Sequence, residues 1–129
     1  MERKLIALKI FLWAEVIMAA RVLLFSIPVL LNKTMLASFS AADMRDWLLL
    51  VITFTAVFHL MAGLTAVMRQ RFWLFSHYLA CVLVIALTVG LSSELAFLKK
   101  STDVFYFYPA VTSMGIVLLV TFMNKLVKK

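Results

Sequence analysis

Four long apolar runs, separated by short polar connections, set the plan of the chain. They cover residues 10–31, 47–68, 72–91 and 105–123. About 20 apolar residues suffice to carry a helix across the hydrocarbon of a bilayer. The runs are continuous rather than alternating, which excludes a transmembrane β-barrel. The pattern therefore predicts an all-α, polytopic integral membrane protein: a four-transmembrane-helix antiparallel bundle forming a single domain over residues 1–129.

The connections refine this plan. Pro28, near the end of the first run, is expected to kink or fray its last turn. Residues 32–46 read as the first loop. Ser40 to Asp43 resembles a capping box, with Asp in place of the usual Glu, so the second helix is expected to start near Ala41. Arg69, Gln70 and Arg71 form so short a turn that the second and third spans must be antiparallel neighbours. The third helix is expected to run on towards Leu98, with Lys99 and Lys100 at its C-terminus, where the helix dipole favours cations. The cluster Phe105, Tyr106, Phe107, Tyr108 and Pro109 opens the fourth span as an interfacial aromatic belt.

Composition agrees. The chain is 65% hydrophobic, with only 3 Gly and 2 Pro, against about 45–50% apolar residues in soluble domains. The net charge of +7 does not indicate nucleic acid, because the cations cluster at the ends of the apolar runs, where they set topology and meet anionic lipid. Eight Lys and Arg lie in the N-terminal segment, the 69–71 turn and the C-terminal segment, against four in the other two connections. The positive-inside rule then predicts that both termini are cytoplasmic, and a multi-pass protein of the plasma or inner membrane is expected. The first run contains Glu15 and Arg21 and is too long for a signal peptide, so it reads as a retained helix. Asn32, Lys33 and Thr34 form a glycosylation sequon, relevant only in a secretory pathway.

Candidate chemistry lies in the ionisable residues inside the runs: Glu15, Arg21, His59 and His77. Each is costly in lipid and needs a partner, enclosed water or neutralisation. At 1.5 Å per residue, Glu15 and His77 both fall about 8 Å from the inner boundary. Arg21 falls at about 16 Å and His59 at about 13 Å. Depth thus predicts two layers, Glu15 with His77 and Arg21 with His59. Small and weakly polar side chains share a stripe with each histidine: Thr55, Gly63 and Ala66 with His59, Cys81 with His77. Such stripes mark helix–helix contact faces in lipid.

Three readings follow. The first is a non-enzymatic accessory or assembly subunit of a membrane complex, or a homo-oligomer, in which the Glu/Arg/His cluster fixes packing against other membrane chains or itself. No metal-binding spacing, phosphate loop or nucleophile motif is present, and neither a metal nor a cofactor is expected on this reading. Second, Ala14, Glu15, Val16 and Ile17 resemble the first helix of the small multidrug resistance transporters. That resemblance implies a dimeric proton-coupled transporter with Glu15 as the proton-exchanging carboxylate. The chain departs from the family in having glycine only at 63, 90 and 115, no Gly-rich face on the fourth span, and Arg21 opposing cation binding. Third, His59 and His77 on adjacent spans resemble the ligand pairs of haem-b membrane anchors such as those of succinate dehydrogenase. That resemblance implies haem b held between them, with Arg69 and Arg71 near its propionates.

Overall fold

The computed structural model describes residues 2–36, 44–94 and 108–128. Within them lie four helices: α1 (Glu2–Met35), α2 (Met44–Val67), α3 (Trp73–Glu94) and α4 (Tyr108–Lys128). They form a four-helix bundle. α2 packs between α1 and α3, and α4 closes the ring against α3 and, less extensively, α1. The start of α1, the 69–71 turn and the end of α4 meet at one end. At the other end Lys33 of α1 donates to Asp46 of α2 at 2.6 Å, so consecutive helices run antiparallel. Three helices contain stretches long and apolar enough to cross a membrane, Arg3–Met35, Leu48–Val67 and Tyr108–Lys128, and the apolar stretch of α3, Trp73–Val89, is shorter.

Side-chain size explains how the helices approach. The interior is built largely from small residues at three- and four-residue spacing: Ala56, Ala62 and Ala66 on α2, with His59 between the first two, Ala80, Val84 and Thr88 on α3, Ala110, Ser113 and Val117 on α4. Large apolar side chains such as Leu24, Phe25, Phe72 and Leu118 point outward. Small inward and large outward is the arrangement that packs helices closely when the surroundings are themselves apolar. At the end formed by the 69–71 turn, Leu8, Leu12, Ala66 and Val120 make a core cluster covered by Phe11, Trp73 and Met123. Thr121 donates to the Val117 carbonyl at 2.8 Å, so its oxygen is left to accept the Tyr78 hydroxyl at 3.0 Å, tying α3 to α4.

Several boundaries differ from the sequence expectation. α1 does not fray at Pro28 but continues through it to Met35, so Asn32 to Met35, sequon included, are helical rather than loop. Proline removes one backbone donor, whereas ending the helix in an apolar setting would leave several more groups unpaired. Thr34 also binds back to the Leu30 and Leu31 carbonyls. The expected cap at residues 40–43, the extension of α3 over residues 95–98 and the aromatic opening at residues 105–107 lie outside the described residues.

The α2–α3 turn is a Schellman cap. The Gln70 amide reaches the Thr65 carbonyl at 2.9 Å and the Arg69 amide the Ala66 carbonyl at 3.1 Å. This places Arg69 in the left-handed region, at φ 57°, where glycine is the usual occupant. A side chain there costs about 1 kcal/mol. Arg69→Gly is therefore expected to stabilise the bundle by about 1 kcal/mol, measurable as a higher melting temperature in mild detergent. Equal or lower stability would show that the arginine side chain compensates for its backbone.

Candidate functional site: a polar layer with one residue from each helix

Each helix contributes one buried polar side chain to a common layer: Glu15 from α1, His59 from α2, His77 from α3 and Ser113 from α4. The two short contacts join opposite helices. His77 Nε2 lies 2.9 Å from the Glu15 carboxyl group, and His59 Nε2 lies 2.6 Å from Ser113 Oγ. Between them, His59 Nδ1 and Glu15 Oε1 face each other at 3.7 Å, too far for a hydrogen bond. Both atoms are buried; His59 Nδ1 has no hydrogen-bond partner, and Glu15 Oε1 has only its 2.9 Å contact with His77 Nε2.

Local sequence explains the placement. On α1 the buried positions Leu8, Leu12, Glu15, Val16, Ala19 and Ser26 fall within an arc of about 100° at 3.6 residues per turn. Gly63, one turn after His59, leaves room for α1: a Cβ there would lie 2.7 Å from Val16 Cγ2 and 3.3 Å from Glu15 Oε1. On α3, His77 Nδ1 is 2.9 Å from the Trp73 carbonyl, one turn back. A carbonyl only accepts, so Nδ1 carries a proton and Nε2 is the nitrogen turned to Glu15. One further proton is shared between Nε2 and the carboxyl group. The pair is either carboxylic acid with neutral imidazole or carboxylate with imidazolium, and its net charge is zero in both. The Trp73 ring meets the His77 ring edge-on, with centroids 5.8 Å apart.

The layer opens on one side into a cavity of about 550 Å³ between α1, α2 and α4. Its lining is apolar apart from Glu15, His59, Thr55, Thr112 and the Tyr108 side chain. Glu15 and His59 are thus the carboxyl and imidazole groups that line it. A ligand with a hydrogen-bond donor would satisfy a carboxylate there.

Depth predicted the Glu15–His77 neighbourhood, and the structure brings these two together. It does not bring Arg21 to His59. Arg21 lies on the exposed face of α1, opposite the buried arc, because depth fixes height along a helix but not direction around it. His59 takes Ser113 instead. Ser113 is not among the sequence candidates, having no base beside it in the chain, although it lies ten residues before Met123, about 15 Å from the inner boundary, at the height of His59. On the stripes, Gly63 and Ala66 are buried, whereas Thr55 and Cys81 are half-buried.

The histidines do not fit a haem. The Glu15 carboxyl group lies between them, at 2.9 Å from His77 and 3.7 Å from His59, and both nitrogens of His77 are already engaged. Among the described residues no group of three His, Cys, Asp or Glu is arranged to hold a metal ion. No protein-family model, curated protein sequence or solved structure matches this chain.

Proposed function

We propose that the chain is a non-enzymatic integral membrane protein acting as an accessory or assembly subunit, held to a second transmembrane protein through the exposed face of α1. Arg21 carries this reading. It sits halfway between Lys9 and Lys33, twelve residues from each, about 18 Å along the axis from either. Exposed Ile17, Met18, Leu24 and Phe25 surround it. With the bilayer spanning the stretch between the two lysines, a guanidinium facing lipid costs at least about 2.5–3.5 kcal/mol. A carboxylate on a neighbouring transmembrane helix offsets that cost.

A second copy is a poor source of that carboxylate. Glu15 is committed inside the bundle, and Glu2, Asp43, Asp46, Glu94 and Asp103 lie at or beyond the ends of the apolar runs. A different chain with a mid-span Asp or Glu fits better than a homo-oligomer. On the cation distribution, both termini would face the cytoplasm.

In mild detergent, Arg21→Leu is expected to release the partner chain without lowering the melting temperature of the isolated bundle. Arg21→Lys, which keeps the charge, is expected to retain the partner. A native preparation containing this chain alone, unchanged in mass by Arg21→Leu, would overturn the subunit reading.

The cavity beside Glu15 favours a second reading, proton-coupled transport. There Glu15 would exchange its proton for a substrate entering between α1 and α4. That reading requires Glu15→Gln to fold normally and lose proton-driven flux.

A further inference from the structure

We infer that the end of the bundle formed by the 69–71 turn holds a binding site for a phosphate group, supplied by an anionic phospholipid. A cavity of about 510 Å³ lies between the start of α1, the α2–α3 turn and the end of α4. Lys9, Arg69 and Arg71 line it as cations, Gln70 and Asn124 as neutral hydrogen-bonding groups. No acidic side chain is among the described residues lining it. Its apolar part includes Leu5, Leu8, Leu12 and Trp73. The lining therefore combines cations with apolar side chains, which suits a headgroup phosphate joined to an acyl chain.

The backbone gives a second, independent indication. Arg69 occupies the one left-handed non-glycine position among the described residues, and it does so at the rim of this cavity. Strained backbone of this kind concentrates at ligand clamps. Arginine there, rather than the glycine that the cap prefers, keeps a planar donor fork beside Arg71. Arginine donates in pairs to phosphate oxygens.

Trp73 supplies the readout. In a Trp13→Phe, Trp47→Phe background in mild detergent, its emission is expected to change saturably as short-chain phosphatidylglycerol is added, and not with phosphatidylcholine. Each of Lys9→Gln, Arg69→Gln and Arg71→Gln is expected to weaken that response about fivefold. Lys125→Gln with Lys128→Gln, which removes two charges from the same end but outside the cavity, is expected to leave it unchanged. Inorganic phosphate is the competing probe. Saturation with phosphate at the same affinity as the lipid would uphold the phosphate site but overturn the lipid as its source. An equal response to phosphatidylcholine, or equal weakening by the Lys125 and Lys128 substitutions, would overturn the site itself.

Discussion

Glu15→Leu is expected to destabilise the bundle by about 3 kcal/mol. The leucine fits an apolar interior, so the loss does not come from volume. It comes from His77, fully buried, whose Nε2 would face hydrocarbon, and from His59, which would lose its electrostatic neighbour. An average interhelical hydrogen bond in a bilayer is worth only about 0.6 kcal/mol. A loss near that value would make Glu15 one polar contact among many, and a loss near 3 would make it the centre of the layer. Glu15→Gln is expected to cost less, about 1 kcal/mol, because an amide can still donate to or accept from Nε2. His77→Leu added to Glu15→Leu should cost little more than either alone. Reversible unfolding of the four variants in mixed micelles provides the comparison. Additive losses would exclude the Glu15–His77 contact as the source.

Gly63→Leu is expected to prevent α1 and α2 from closing. The first added carbon alone would lie 2.7 Å from Val16 Cγ2, and Val16 is a buried, β-branched residue with little rotamer freedom on a helix. Gly63→Ala therefore sets a gain in helix propensity of about 1 kcal/mol against overpacking of about 1–3 kcal/mol. Overpacking wins, giving a net loss of about 1 kcal/mol. Leucine would also displace the Glu15 carboxyl group, 3.3 Å from the same point. Melting temperatures of the two variants should fall in that order. A Gly63→Leu protein as stable as the parent would mean that the helices do not approach here.

Much of this was legible in the chain because lipid-length apolar runs are a coarse, strong signal. The four helices, the antiparallel α2–α3 pair and the burial of Gly63 and Ala66 all follow from run length and small-residue spacing. The ends were less legible. α1 extends to Glu2 and Met35 because a helix already formed continues through polar residues that hydropathy marks as loop. Arg21 shows the other limit. Counting residues suggested a height shared with His59, but the buried arc through Leu8, Leu12, Glu15 and Ala19 turns it the opposite way. Ser113 is not a candidate from sequence because a serine in an apolar run with no base beside it carries no signal until a histidine is known to face it.

The fixed tautomer of His77 has an electrical consequence. Since Nδ1 is held by the Trp73 carbonyl, the proton of the Glu15–His77 pair can move only along the 2.9 Å between Nε2 and the carboxyl group. In a bilayer under voltage, an elementary charge carried across the full thickness gains about 2.3 kcal/mol per 100 mV. A hop of about 1 Å within roughly 30 Å of hydrocarbon gains less than about 0.1 kcal/mol. Transfer within the pair is thus blind to membrane potential. Only exchange of that proton with the cavity or with bulk water would register as current.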